Sequence, residues 1–163
     1  MRIKMDKMSK QDGLKQGIAI DMKRISDDLR EQEQIFGAFC QSYEEFKTVY
    51  RFVERSLKRS ESSSYIILFT LTDMNGDFPP LAEREKPMES LSQVIQMSLR
   101  MGDVFSQYSS CQFLTMVPNT TEQDADRIAK RIQELFYQKN PEKNERILLH
   151  HSYPVIPANA KKI

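Results

Sequence analysis

Apolar side chains recur at helical spacing near the start of the chain. A stripe of large apolar residues, in steps of four and three, runs through a segment that we predict to be helical from Lys15 to Phe36. The stripe consists of Ile18, Met22, Ile25 and Leu29. It is short for a coiled coil, so it indicates either a homodimer contact or a helix packed on its own domain. The dozen residues at the N-terminus, rich in Lys, Met and Ser, are predicted to be a mobile tail.

The pattern that follows predicts a second helix and then a buried strand. The helix spans residues 43–59, and one of its faces carries Phe46, Tyr50, Val53 and Leu57 while Lys and Arg fill the other. A Ser-rich stretch ends it. The segment YIILFTLT at residues 65–72 is apolar on both faces, which is typical of a strand that is covered on both sides.

From residue 65 onward the predicted order of elements is βαββαβ. Pro87 suits the first turn of a third helix, and Thr121 with Asp124 suits the N-terminal cap of a fourth. The other strands are predicted at residues 103–108, 111–117 and 145–153, with a tight hairpin at Ser109-Ser110. This order predicts an α/β (α+β) fold with a ferredoxin-like core, in which helices lie on an antiparallel sheet. The two N-terminal helices precede this core, and the second face of the sheet is a candidate place for them to pack.

Length, charge and cysteine content indicate one cytoplasmic domain. The chain has 163 residues and a net charge of +1, which gives no general attraction to a polyanion such as a nucleic acid. Two cysteines, Cys40 and Cys111, are too few for a disulfide framework and indicate reduced thiols. No apolar run is long enough for a signal peptide or a membrane span, so we expect no membrane partner. We divide the chain into a tail with a linker helix (1–35), a folded domain (36–156) and a C-terminal tail (157–163).

Residues 100–132, RMGDVFSQYSSCQFLTMVPNTTEQDADRIAKRI, resemble the GGDEF (diguanylate cyclase) family. In that region the family has an Arg-x-x-Asp, a short strand, a Gly-Gly-Asp-Glu-Phe hairpin, a strand ending in Pro and a helix. The spacing matches without a gap, and the resemblance covers residues 36–155. It implies a ferredoxin-like core of the GGDEF/nucleotidyl cyclase type and a role in bacterial cyclic di-GMP signalling.

The residues that carry catalysis in that family are replaced in this chain. A diguanylate cyclase joins two GTP molecules with the help of divalent metals, which need carboxylate ligands. Where the family has Asp-x-Asp at the end of its first strand, this chain has Thr70 and Thr72. Its hairpin consists of Ser109, Ser110, Cys111, Gln112 and Phe113, so a neutral thiol stands where the family has a metal-binding acid. The resemblance therefore implies a degenerate domain that is not an enzyme and holds no catalytic residue, metal or cofactor.

Three residues of a regulatory site persist: Arg100, Asp103 and Arg131. In the family, an Arg-x-x-Asp and an Arg on the next helix form the inhibitory site that binds cyclic di-GMP. Guanidinium groups pair bidentately with phosphate and stack on purines, and a carboxylate accepts hydrogen bonds from guanine. The alternative is that Arg100 interacts favourably with a helix C-terminus and that Arg131 is a solvated helix residue. The resemblance implies a cyclic di-GMP site at these residues, remote from the hairpin.

The sequence leaves three functions to compare. The first is a non-catalytic signalling domain that acts as a cyclic di-GMP receptor, or through a homodimer or a partner signalling protein. The second is an active nucleotidyl cyclase with rearranged metal ligands. The third is RNA binding, because βαββαβ is also the order of an RRM; its stacking aromatics would be Phe69 and Phe113. The net charge near zero ranks RNA binding last, and we expect no nucleic-acid partner.

Overall fold

The computed structural model describes residues 2–31, 33, 35–141 and 146–157. The chain divides into two compact units, residues 1–34 and 35–163. Within the described ranges, no helix combines the length and the hydropathy that crossing a bilayer requires. The predicted C-terminal tail lies outside the described residues except for Pro157.

The first unit is a single helix, α1 (Arg2–Leu29). The first dozen residues, predicted to be a mobile tail, are thus helical from Arg2 onward. Lys, Met, Arg and Gln all have high helix propensity, and no Pro interrupts them. The helix also ends well before Phe36. Its apolar stripe is exposed, since 58% of Ile18 and 80% of Leu29 is accessible to solvent. A homodimer through this stripe stays a prediction.

The second unit is a five-stranded sheet with three helices. Its elements are β1 (Phe39–Gln41), α2 (Tyr43–Ser56), β2 (Tyr65–Asp73), a short 3₁₀ helix (Leu81–Glu83), α3 (Glu85–Ser98), β3 (Val104–Ser109), β4 (Gln112–Val117), α4 (Glu122–Lys139) and β5 (Arg146–Pro154). The strand order is β1-β3-β4-β2-β5. All neighbours are antiparallel except β1 and β3, which are parallel. The predicted βαββαβ core is confirmed from β2 onward, whereas β1 is an additional strand that the pattern did not predict.

The two faces of the sheet are covered by different helices. Strand β2 alternates between them, because its Ile67, Phe69 and Leu71 join the core beneath α3 and α4 while Ile66 packs with the opposite cluster. That second cluster centres on Phe46 of α2, together with residues of β3 and β4. The prediction that a leading helix packs on the second face is thus confirmed for α2.

Side-chain caps begin two of the helices. Ser42 forms a capping box with Glu45, in which each side chain accepts a hydrogen bond from the other residue's backbone N–H. Thr121 accepts a hydrogen bond from the backbone N–H of Asp124 at the start of α4, as predicted. These caps satisfy N–H groups that would otherwise lack a partner in the first turn.

The hairpin between β3 and β4 is displaced from its predicted position. The pairing is irregular between Gln107 and Ser109, and the turn falls at Ser110 and Cys111 rather than at Ser109-Ser110. Because the irregularity inserts an extra residue on the β3 side, the turn moves one position along the chain. Cys111 therefore lies in the turn and not in a strand, although it is buried as expected of a core thiol.

The segment before β1 passes very close to the C-terminal half of α3. Gly37 has φ +81°, and the backbone N–H of Ala38 donates to the carbonyl oxygen of Gln96 at 3.3 Å. A Cβ atom at Gly37 would lie 1.9 Å from that same oxygen. The close approach and the positive φ both require glycine at this position.

The outer edge of β5 is partly covered by α4. Gln133 Nε2 donates to the Leu148 carbonyl oxygen at 2.8 Å, and the Leu148 N–H donates to the hydroxyl of Tyr137 at 2.9 Å. Two side chains of one helix thus satisfy both backbone groups of Leu148, which lies on the edge strand of the sheet that the described residues form.

Candidate functional site

A chain of neutral side chains connects the end of β2 with the β3–β4 hairpin. Gln112 Nε2 donates to Thr70 Oγ1 at 3.2 Å, and Ser109 Oγ donates to Gln112 Oε1 at 2.9 Å. The Cys111 N–H donates to Ser109 Oγ, and the Cys111 carbonyl oxygen accepts from the Leu71 N–H at 2.8 Å. The register of β2 and β4 places Thr70 directly opposite Gln112, which is why these residues meet. We call Thr70, Ser109, Cys111 and Gln112 the hairpin site.

The hairpin site contains hydrogen-bonding groups but no charge. Thr72, the other predicted position, is buried and donates through Oγ1 to the carbonyl oxygen of Asp73. The nearest acid along the strand is Asp73 itself. Its Oδ1 accepts from the backbone N–H groups of Asn75 and Asp77, so this carboxylate closes the turn after β2. Among the described residues, no group of three His, Cys, Asp or Glu side chains is arranged to hold a metal ion.

A cavity of about 610 Å³ lies beside the hairpin, next to the N-terminal half of α3. Arg84 lines it: Nε donates to the Pro79 carbonyl oxygen at 2.5 Å, an Nη donates to Ser110 Oγ at 2.7 Å, and the guanidinium lies 5.8 Å from the centre of the Phe78 ring. This one side chain therefore ties the loop after β2 to the hairpin turn. Nothing in the sequence pattern singled out Arg84, because its role depends on a partner 26 residues away.

Cys40, on β1, also lines this cavity. Its thiol is free, and loss of solvation raises its pKa above the usual value. The thiol is therefore held in its neutral form, which is neither a good nucleophile nor a good ligand for a hard metal.

A second cavity, of about 320 Å³, brings together the three residues predicted to bind a ligand. It lies where α3 ends and α4 begins, and its lining includes Arg100, Asp103, Arg127 and Arg131. Arg127 was missed in the sequence, although its spacing of four residues from Arg131 places both on one helix face. We call this the arginine cavity.

Asp103 does not present its carboxylate to the arginine cavity as a free acceptor. Only 2% of its side chain is exposed; one oxygen accepts from the Arg100 backbone N–H at 2.9 Å, and the other lies 3.5 Å from the Arg100 guanidinium. The expected hydrogen bonding of Asp103 to guanine therefore competes with contacts inside the protein. The observed geometry assigns this carboxylate to closing the turn after α3.

The arginines are engaged but remain accessible. Arg100 donates to the Pro118 carbonyl oxygen at 3.0 Å and to Thr120 Oγ1 at 3.2 Å, yet 62% of its side chain is exposed. Arg131 donates to the Ser98 carbonyl oxygen at the end of α3, and Arg127 lies 3.5 Å from Asp124. Each guanidinium has five N–H donors, so these contacts leave donors for a ligand.

The aromatic residues proposed for RNA stacking are not on a surface. Phe69 and Phe113 are 0% and 3% exposed, and both belong to the core beneath α3 and α4. An RRM stacks bases on exposed rings of its central strands. These two residues therefore cannot form such a platform.

Comparisons with known proteins find solved structures that share this fold. No protein-family model and no curated protein sequence matches the chain. Among solved structures, it resembles a diguanylate cyclase protein from Thermotoga maritima, with a TM-score of 0.58 and 16% identity over 78% of this chain and 91% of that one. It also resembles the active GGEEF domain of a diguanylate cyclase from Vibrio cholerae, with a TM-score of 0.58 and 13% identity over 74% and 77% of the two chains.

A third neighbour is the diguanylate cyclase SiaD from Pseudomonas aeruginosa, whose structure was determined in complex with its activator SiaC. The TM-score is 0.55 and the identity 10%, over 93% of this chain but only 60% of that one. At sequence identities this low, the similarity shows a shared fold but does not show a shared function. The second unit of this chain has the fold of a GGDEF domain, the catalytic domain of diguanylate cyclases.

Proposed function

We propose that this chain is a regulatory signalling domain that acts by binding and not by cyclising nucleotides. The observation that carries the proposal is the hairpin site, where Thr70, Ser109 and Gln112 hydrogen-bond to one another as neutral groups. A phosphoryl-transfer site needs carboxylates to hold its divalent metals close to the reacting phosphates. The hydroxyl, amide and thiol groups of the hairpin site are uncharged, so they are weak ligands for a hard divalent metal ion.

We expect the purified chain to make no cyclic di-GMP from GTP with either Mg²⁺ or Mn²⁺. The reaction would be followed by chromatography, with an active diguanylate cyclase as the positive control. Formation of cyclic di-GMP would contradict the proposal and favour a cyclase with rearranged metal ligands. Asp73 would then be the first residue to substitute, since it is the acid nearest to the hairpin site along β2.

Partner binding is the form of regulation that we favour. The neighbouring cyclase SiaD forms a complex with an activator protein, so a protein that contains a domain of this fold can be regulated by a protein partner. Both thiols of this chain are free, which supports action in a reducing cytoplasm. We also propose a homodimer through the exposed apolar stripe of α1, because leaving four large apolar side chains in water is unfavourable in free energy.

Cyclic di-GMP is a second candidate ligand, and the arginine cavity favours it. Three guanidinium groups line about 320 Å³, two of them opposite Asp103 and Asp124, and they offer N–H donors to a phosphate and flat surfaces to a purine. We expect Arg100→Ala to weaken cyclic di-GMP binding by about tenfold or more, because a charge-assisted hydrogen bond contributes about 1.5–3 kcal/mol. Isothermal titration calorimetry measures this loss.

The matched control is Arg84→Ala, which removes a guanidinium from the other cavity and should leave cyclic di-GMP affinity unchanged. Equal losses in both variants would point to a general charge effect and not to a site. If the unmodified protein gives no heat with cyclic di-GMP at high micromolar concentration, the ligand idea fails and partner binding remains.

A further inference from the structure

The last turn of α3 is held by two different parts of the domain. The last four carbonyl groups of a helix have no N–H within the helix to accept from. In α3 the Leu99 N–H still reaches the Ile95 carbonyl oxygen, at 3.1 Å, and the helix ends at Ser98. The carbonyl oxygens of Gln96 and Ser98 accept hydrogen bonds from groups outside α3. These two atoms are therefore the points at which neighbouring elements hold the end of the helix.

The first of these elements is the segment before β1. The Ala38 N–H donates to the Gln96 carbonyl oxygen at 3.3 Å, and Gln96 Nε2 donates back to the Phe36 carbonyl oxygen at 3.5 Å. Ala38 is fully buried. We call residues 35–38 the joining segment, because they lie between α1 and β1 in the sequence and lead directly into β1. The joining segment is thus fastened to the domain through the last turn of α3.

The Gln96 carbonyl oxygen can accept from Ala38 because its usual donor is engaged elsewhere. In a continuing helix the Arg100 N–H would donate to Gln96. Here the Arg100 N–H donates to Asp103 Oδ2 at 2.9 Å, and the Asp103 carbonyl oxygen accepts from the Phe39 N–H at 3.3 Å. Asp103 therefore connects the end of α3 with the first residue of β1.

The second element that holds α3 is Arg131 of α4. Its guanidinium donates to the Ser98 carbonyl oxygen, and the same side chain lines the arginine cavity. Ser98 and Gln96 belong to the same helical turn. A phosphate oxygen in the cavity would compete with Ser98 for this guanidinium, and an arginine bonds a charged phosphate more strongly than a neutral carbonyl group.

We infer that the last turn of α3 couples the arginine cavity to the joining segment. An anion that draws Arg131 away from Ser98 leaves the end of α3 less firmly held, so the bond from Ala38 to Gln96 opens more often. The coupling is reciprocal: a joining segment that is firmly held favours the empty cavity. The inference rests on the proposed function for the identity of the ligand alone, because the contacts on both sides of α3 are made without one.

Hydrogen exchange of single backbone amides, followed by NMR on the full chain without ligand, tests the coupling. Arg131→Ala should speed exchange of the Ala38 amide by at least about fivefold, the lower end of typical coupling between two sites. Arg131 is exposed, so this variant should fold. The Leu71 N–H, bonded to the Cys111 carbonyl oxygen beside the hairpin, is the reference amide and should be unaffected.

Arg127→Ala is the matched control for the loss of charge. It removes a guanidinium from the same cavity and the same helix, but Arg127 pairs with Asp124 of its own helix and not with the end of α3. Exchange of the Ala38 amide should therefore stay as in the unmodified chain. A second arm adds cyclic di-GMP, which should speed exchange at Ala38 in the unmodified chain and cause no further change in Arg131→Ala.

Three results would overturn the coupling. The first is that Arg131→Ala leaves exchange at Ala38 unchanged. The second is that Ala38 and Leu71 speed up equally, or that Arg127→Ala has the same effect, since either would show a general loss of stability or of charge. The third is that cyclic di-GMP binds by calorimetry but does not speed exchange at Ala38. If cyclic di-GMP does not bind, that ligand is refuted, and the two variants alone confirm or overturn the coupling.

Discussion

Gly37→Ala is expected to lower the free energy of unfolding by about 3 kcal/mol or more, the range of a severe overpacking defect. Two effects add. The backbone at Gly37 has φ +81°, where a side chain costs about 1–2 kcal/mol. The new Cβ would also lie 1.9 Å from the Gln96 carbonyl oxygen and 2.9 Å from its carbon, and these are backbone atoms of α3 that cannot rotate away. Urea unfolding followed by circular dichroism measures the change.

Gly76→Ala is the matched control for this experiment. Gly76 has φ +85°, almost the same as Gly37, but a Cβ there would meet no atom within 4 Å. Gly76→Ala should therefore show only the cost of the positive φ, about 1–2 kcal/mol. The difference between the two variants isolates the clash with α3. Equal losses would mean that the segment before β1 moves away from α3 without cost, and that its close approach does not stabilise the domain.

Asp103→Ala should be the second most damaging substitution, with a loss of about 2–3 kcal/mol in the free energy of unfolding. Its carboxylate is buried, accepts from the Arg100 backbone N–H and pairs with the Arg100 guanidinium. Hydrogen bonds to a charged group contribute about 1.5–3 kcal/mol, and their loss leaves an N–H without its partner. Thermal or urea unfolding measures the effect.

Two further variants separate the charge from the hydrogen bond. Asp103→Asn keeps an acceptor for the Arg100 N–H and should lose less than Asp103→Ala. Asp126→Ala removes an exposed acid whose partner is Lys130 on the same helix, and it should leave the unfolding midpoint essentially unchanged. If Asp103→Ala unfolds like the unmodified protein but loses affinity for cyclic di-GMP, then Asp103 acts on a ligand and the structural role assigned to it is wrong.

The core of the fold could be predicted because its elements carry strong periodicity. The segment YIILFTLT and the apolar face of α4 each show a pattern that few other structures would produce. Strand β1 shows none: Phe39–Gln41 is three residues long and exists only because it pairs with Val104–Ser106 of β3. A strand that depends on a partner some 65 residues away has no local signal.

The proximity of Arg100 and Arg131 was predictable from the sequence, whereas their side-chain contacts were not. Spacing alone brought Arg100 and Arg131 to one cavity, because the helix ends that carry them are neighbours in a βαββαβ unit. The burial of Asp103 and the bridge that Arg84 makes to Ser110 depend on side-chain directions in the folded domain. Sequence spacing does not determine those directions. The displaced turn at Cys111 likewise results from an irregularity in pairing that the residue pattern does not show.

The bonds that Gln133 and Tyr137 make to Leu148 have a consequence for behaviour at high concentration. An uncovered outer strand offers a row of free amide groups on which further molecules can stack into fibrils. In β5 this row of amide groups is interrupted at Leu148, whose N–H and carbonyl groups are bonded to α4. Pro154, at the end of the strand, has no N–H to donate. Fibril growth that pairs with Leu148 therefore requires α4 to release that residue first, so stacking along the whole of β5 is coupled to partial opening of the domain.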